Sequence, residues 1–352
     1  MIKKNITYIA VIIGLFLVKG SCMGQIANIS ISEEYQKYRD SLMETPYEWH
    51  FPILGSKLRK MGFDLPYPNG IGVNYAWSRQ NINISNAYVG FDSDNLIGID
   101  GIARFRKIQA DVNAVNVRYD FWLLPFLNFY GIAGRINSQT EINLGLPFDL
   151  TFNTNNNGTG IGWGTVVAGG VGPLVLSGDF TMVWTFMKNL DQPSKTIVLG
   201  GRGGYMFRFP KRPDRNLVVL VGAQYLGISK GGSGTVDLEK LVGITPEKKA
   251  AALNQLNDWY DELPDSEQEV LFPIYDGASR WLSSNEPVEL KYRFDKTMYY
   301  PVSMSLGVNM QINKRYTFTG IYSFLGSRQQ VVFGLGYRFG IKGNNFLSGL
   351  TL

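Results

Sequence analysis

One histidine, His50 in "YEWHFPI", limits the acid–base chemistry open to this 352-residue chain. A Ser-His mechanism needs an imidazole beside a nucleophile. His50 precedes the first strand pattern, so the N-terminal segment would have to return to the rim of the strands. One histidine also cannot build a His-rich metal centre. The acidic run "DWYDELPDSEQE" at 258–269 could hold a cation, but it lies in a helical pattern and reads as a solvated face. The glycine-rich stretches "GTGIGWG" and "GLGYRFG" mimic phosphate loops, yet no helix follows either, and strand packing accounts for them. Cys22 is the single cysteine and falls in a segment expected to be removed, which excludes disulfides and thiol chemistry from the mature chain. No catalytic residue, metal or cofactor is expected, and the chain is read as a non-enzyme.

What remains is a set of isolated charges inside strand patterns: Arg118, Asp120, Asp179, Arg202, Glu289, Lys291, Arg293 and Arg338. Residues 299–324, "YYPVSMSLGVNMQINKRYTFTGIYSF", give the pattern most clearly. Val302, Met304, Leu306, Val308 and Met310 alternate with Ser303, Ser305, Gly307, Asn309 and Gln311. Strict alternation predicts strands with one apolar and one polar face. Asn313-Lys314 between the two runs predicts a tight hairpin turn. Similar runs recur near 70–85, 109–122, 126–137, 141–152, 159–170, 174–187, 195–209, 217–229, 287–294 and 328–340, about twelve strands in all. Most reach the roughly 9–11 residues that cross a bilayer as tilted strands, longer than the roughly 5–6 residues usual in soluble sandwiches.

The composition agrees with a membrane barrel. Only 18% of residues are charged, 13% are aromatic and 40 are glycine, while mean hydropathy is only −0.06. A chain this apolar without a long apolar run is expected when strands alternate. The second face is mainly Gly, Ser, Thr, Asn and Gln, which suits a confined wet interior better than a soluble surface. Arg118, Asp120, Arg202, Glu289, Lys291, Arg293 and Arg338 are therefore expected to line the lumen, with the apolar faces on lipid. Trp122, Phe126, Phe129, Tyr299 and Tyr300 cluster near proposed strand ends, as an interfacial girdle requires.

The end of the strand region carries a further mark. In "QVVFGLGYRF", Gly334, Tyr337 and Phe339 match the assembly signal that closes bacterial outer-membrane barrels, although Val332 stands where a polar residue is preferred and "GIKGNNFLSGLTL" follows. Residues 65–78, 118–134 ("RYDFWLLPFLNFYGIAG") and 328–339 resemble a group of uncharacterised porin-like outer-membrane proteins. The resemblance implies a location and an architecture, with outer-membrane lipid and the barrel assembly machinery as partners. It transfers no catalytic or ligand residues.

The flanking regions complete the plan. Lys3 and Lys4, an apolar run from Ile6 to Val18 and the small residues of "KGSCMGQ" predict a signal peptide over 1–24, with a lipobox around Cys22 as the rival reading. Removing its three lysines takes the formal charge from +5 to +2. The mature chain shows no basic stripe, so no nucleic-acid partner is expected. Residues 25–68 read as a periplasmic segment, the plug of a lumen being the sharper alternative. Residues 69–340 read as the barrel, and 341–352 as a tail. Within the barrel, 230–286 reads as a helical insert starting at Thr245-Pro246-Glu247. Outer-membrane barrels keep their long loops outside, but counting strands back from 328–340, with 287–294 as a crossing strand, puts the insert in the periplasm. There it would meet an envelope partner. The expected function is a porin-like channel or transporter for small solutes. The alternatives are a partner-binding barrel with a filled lumen and, more weakly, a lipid-acting enzyme using His50.

Overall fold

The computed structural model describes residues 33–342 except 92–94, 146, 189, 239–240, 242–243 and 285–287. The proposed signal peptide, and the tail beyond 342, lie outside the described residues. Ten strands close into an antiparallel barrel. They are β1 (Asn69–Phe91), β3 (Phe105–Leu124), β4 (Leu127–Leu144), β5 (Leu150–Val171), β6 (Leu174–Met187), β7 (Ser194–Phe209), β8 (Arg212–Ile228), β11 (Val302–Gln311), β12 (Tyr316–Phe324) and β13 (Arg328–Phe339). Closure is made by β1, which pairs with β3 on one side and β13 on the other. Three strands stay outside the ring: β2 (Ile97–Gly98), β9 (Gly231–Asp237) and β10 (Glu289–Met298).

The expected twelve strands become ten for two reasons. Residues 141–152 are not a separate stave; they are the tip of the β4–β5 hairpin, where Asn143 pairs with Thr151. Of the expected strand 287–294, residues 289–294 belong to β10, which pairs with β9 and with the far half of β1, beyond the level of the ring. The sequence pattern could not separate these from staves, because both alternate as a stave does.

The turns at the end where β1 begins are short: 125–126, 172–173, 210–211 and 312–315. We refer to this as the lower end. Asn313 makes the last of these turns, its Oδ1 accepting from the amides of Arg315 and Tyr316, both at 2.8 Å. The upper end carries every long connection. The insert joins the upper ends of β8 and β11, so it lies opposite Asn313-Lys314. The strand count that placed it on their side fails because β10 does not cross the barrel.

The strands change character along their length. On the lower half of β3, Val115, Val117 and Tyr119 point outward and are exposed, while Asn116, Arg118 and Asp120 point inward. Above Ala114 the phases exchange chemistry. Ile108, Ala110 and Val112 turn inward, and Gln109, Asp111 and Asn113 outward. On β4 the outward residues run from Phe129 and Ala133 to Asn137, Gln139 and Glu141. On β5 they run from Val171, Trp163 and Ile161 to Thr159, Asn157 and Asn155. The lower half thus carries an apolar outer belt, as a membrane barrel must. The upper half has an apolar inside and a polar outside, as a water-exposed sheet does.

Helix α1 (Glu33–Glu44) and helix α2 (Gly55–Lys60) lie against the lower rim. Tyr38 donates to Asp64 at 2.6 Å, Lys314 approaches Asp64 at 3.6 Å, and the Ile53 amide donates to the Leu123 carbonyl at 2.8 Å. The first contact is internal to the N-terminal segment, and the other two join it to the 312–315 turn and to the lower end of β3. At the upper end, α3 (Pro246–Asp261) and α4 (Asp265–Ser283) form the predicted helical hairpin. Thr245 caps α3 by accepting from the Lys248 amide at 3.4 Å. Leu256, Ala252, Trp281 and Leu282 pack with Phe148 and Leu150 of the β4–β5 tip, and Gln255 accepts from the Asp149 amide at 2.7 Å. Gly277 permits the contact of α4 with β1, since a Cβ there would sit 2.3 Å from Phe91.

The exchange of phases predicts unequal responses to one substitution. Val117→Arg, in the outer belt, should cost about 2–4 kcal/mol. Gln139→Arg, outward but above the belt, should stay within about 0.5 kcal/mol. Equilibrium denaturant unfolding in lipid vesicles measures both, and equal costs would refute the belt boundary.

Candidate functional site: an ionic layer beneath an apolar chamber

The lower lumen is filled by polar side chains that pair with one another, with Arg118 Nε, Arg202 Nε and Ser305 Oγ left without a hydrogen-bond partner. Asp120 accepts from Arg338 at 3.1 Å and from Asn128 at 2.9 Å. Arg118 donates to Asn128 at 3.2 Å and stacks over the Tyr130 ring at 3.9 Å. Arg338 also donates to the Tyr67 carbonyl at 3.0 Å, which ties the entry of β1 to its closing partner. A second cluster lies alongside. Arg202 pairs with Asp179 and reaches Gln224 at 3.4 Å, and Gln224 donates to Ser323 at 2.7 Å. Tyr130 and Thr181 share a hydrogen bond between the two groups. Asn128, Gln224, Ser305 and Ser323 are all at most 5% exposed, so side chains and not open water fill this level. Alternation places these residues inward, and glycines give them room: a Cβ on Gly164 would meet the Tyr130 ring at 2.4 Å.

Above this layer the interior turns apolar. A cavity of about 540 Å³ is lined by Ile82, Ile108, Ile136, Val183, Val198 and Ile228 among others, within the size range of small-molecule pockets. Val236 and Leu238 of the β9 side, Leu241, and Leu290 and Phe294 of β10 close its upper part. Several of these also pack against the core of the helical insert, which makes the insert the roof of the chamber. The charged residues of its lining are Arg135, Arg293, Lys296 and Arg328, of which Arg135 and Arg293 are exposed and Lys296 and Arg328 are not. Lys296 donates to Ser194 at 3.0 Å, and burial holds its ammonium below the usual lysine range.

Of the residues expected in the lumen, Arg118, Asp120, Arg202 and Arg338 meet in the ionic layer. Glu289, Lys291 and Arg293 do not join them. They sit on β10, from which Leu290, Tyr292, Arg293, Phe294 and Lys296 line the chamber while Glu289 and Lys291 do not. Arg293 lies over the Tyr88 ring at 4.5 Å instead. The expectation took every apolar face to be on lipid, whereas β10 stands above the belt and its Leu290 and Phe294 line the chamber. The same holds for 141–152, whose Leu144, Leu150 and Phe152 turn inward. Asn128, Tyr130, Gln224 and Arg328 were missed. The first three are uncharged, and Arg328 follows a turn, where arginine normally signals solvent. Of the assembly signal, Tyr337 and Phe339 are at the lower end of β13 opposite Ile71 and Asn69, and Gly334 faces Asn74. His50 is exposed below the lower rim.

No protein-family model and no curated protein matches the chain. Among solved structures it is similar to the outer membrane protein OprG from Pseudomonas aeruginosa, with 10% identity, TM-score 0.35, and coverage of 79% of this chain and 98% of that one. It is also similar to the beta domain of the Bordetella autotransporter BrkA, with 13% identity, TM-score 0.31, and coverage of 77% and 100%. The Pseudomonas putida toluene transporter TodX matches at 8% identity and TM-score 0.28, over 78% and 90%. At these scores none bears on function. The closed barrel and its apolar belt are themselves the architecture of bacterial outer-membrane proteins, and this chain is an outer-membrane β-barrel.

The ionic layer predicts the response to losing its central acid. Asp120→Ala leaves Arg338 and Arg118 buried without their carboxylate and should destabilise the barrel by about 3–5 kcal/mol. The double variant Asp120→Ala/Arg338→Met should recover much of that loss. Denaturant midpoints of the two variants in vesicles check the order.

Proposed function

We propose that this barrel receives small apolar solutes from the outer side in the chamber above the ionic layer, as the first station of their passage through the outer membrane. The observation that carries this reading is the change of lumen lining from paired charges to Ile and Val, which creates an apolar cavity of about 540 Å³ under the helical insert. A general porin has a polar, water-filled lumen along its whole length. Here the lower level is occupied, and an apolar solute could pass it only if buried ion pairs gave up their partners. The chamber is therefore a binding compartment, and onward movement requires the ionic layer or the wall to rearrange.

The short turns at the lower end support that end as periplasmic. The insert then stands on the outer face, where it governs access. No bond-making step is required of any residue, and His50 is remote from the chamber. A second reading, a barrel that presents the insert to a protein partner, is favoured by Val270 and Phe272, which are exposed on α4. It makes no use of the chamber.

Two measurements on the mature protein test the proposal. Radiolabelled decanol should bind protein-containing nanodiscs saturably above empty ones, and Val198→Trp, which fills the chamber, should weaken it by at least tenfold. Planar bilayers should record no steady open-pore steps from the wild type. Absent saturable binding, or a large steady conductance, would overturn the reading.

A further inference from the structure

Among the described residues, two groups lining the chamber keep a buried polar atom without a partner, the neutral Asn156 at its Oδ1 and the charged Arg328. Arg328 is 6% exposed and lines the cavity at the start of β13. Its Nε has no hydrogen-bond partner, and no described residue gives its guanidinium an ion pair. Arg202 lies near enough to add repulsion of the same sign, and its own carboxylate partner, Asp179, is already engaged. A guanidinium does not shed its proton in a protein. Burying it unpaired is therefore expensive, unless something absent from the chain supplies the counter-charge.

The position is fixed rather than incidental. The preceding turn is locked by Gly326 in the left-handed region at φ 77°, where a Cβ would come 2.2 Å from the Val302 carbonyl oxygen. The Ser327 hydroxyl accepts from the Tyr300 amide at 2.6 Å, the Ser327 amide donates to the Tyr300 carbonyl at 3.0 Å, and the Asn81 amide donates to the Ser327 carbonyl at 2.9 Å. Arg328 itself pairs with Gln80 in the ring. A chain held this firmly on both sides presents its side chain to one place.

The remaining lining points the same way. Among the described residues no Asp or Glu lines the chamber, and its second inward cation, Lys296, has a hydroxyl partner but no acid. Lys296 pairs with Ile84, four residues above Gln80 on the same strand, so the two cations stand roughly 13 Å apart along the wall at 3.3 Å per residue. Between and around them the surface is mainly apolar, with the neutral polar side chains of Ser78, Gln80 and Gln330 among Ile82, Ile84 and Ile228. The surroundings are those of an anion with a hydrocarbon body.

We infer that the chamber's ligand is a small amphipathic monocarboxylate whose head group is taken by the Arg328 guanidinium and whose apolar body lies against the Ile and Val walls. The planar fork of arginine donates two parallel hydrogen bonds to a carboxylate, which completes the buried cation. The inference rests on the chamber being a binding compartment, and it adds the sign of the ligand and the residue that reads it.

Three probes with one decyl body separate the two ideas: decanoate, decanol and decylammonium, bound at pH 8 to the full mature protein in nanodiscs against empty discs. Wild type should hold decanoate at least tenfold more tightly than decanol, the advantage expected of a charged hydrogen bond, with decylammonium weakest. Arg328→Met should erase the preference for decanoate over decanol, both measured on that same variant, and Arg328→Lys should retain part of it. If decanol does not bind at all, the compartment reading itself fails. If decanol binds and decanoate gains nothing over it, or keeps its advantage in Arg328→Met, the anion inference is overturned. Heat-modifiable gel mobility reports folding. Should Arg328→Met not fold, the order of the three probes on the wild type decides.

Discussion

Everything in this molecule depends on closure of the sheet. In lipid no water can satisfy a free strand edge, so the first strand must meet the last. Here β1 runs antiparallel to β13 from Asn69–Phe339 to Gln80–Arg328. The ring exists only over that height. Above it β1 continues, but it leaves β13 and takes β10 as its neighbour from Ile82 onward. The level at which β1 changes partners is close to the level at which the strands exchange the chemistry of their two faces.

That coincidence explains the vertical order of the lumen. Inside the belt the outer face must be apolar, so polar residues are left to the interior, where small side chains and glycines allow Asp120, Arg338, Asp179 and Arg202 to meet. Above the belt the outer face meets water and the interior can be aliphatic. A cavity there needs a roof, and the β9–β10 hairpin with α3 and α4 supplies it. The roof is fixed to the tip of the β4–β5 hairpin through Phe148 and Leu150. Layer, chamber and roof thus follow from one constraint applied at three heights.

Much of the fold was legible in particular residues. The alternation of 302–311, the Asn313 turn, the Thr245 cap and the apolar helix positions Leu256 and Trp281 were all present in the sequence. The ionic layer was half legible, because Arg118, Asp120, Arg202 and Arg338 stood alone between apolar neighbours. Asn128 and Gln224 offered no comparable signal, since uncharged amides are as common on outer loops as in a lumen. The chamber was not legible at all. Its Ile and Val residues alternate with polar ones in the same way as the belt residues do.

The sequence by itself determined that the chain makes long two-faced strands with tight turns at one end, a helical insert and a bilayer-compatible apolar surface. It could not determine which face lies inside, because period-two alternation is symmetric between the two sides of a sheet. That is decided by height relative to the belt, and height is set by the register of neighbouring strands. Ile108 and Val117 sit on one strand with opposite orientations. Only the pairing of β3 with β1 and β4 puts one in the chamber and the other on lipid. The same registers place Arg328 beside a carboxylate-free cavity, a juxtaposition formed by contacts distant in the chain.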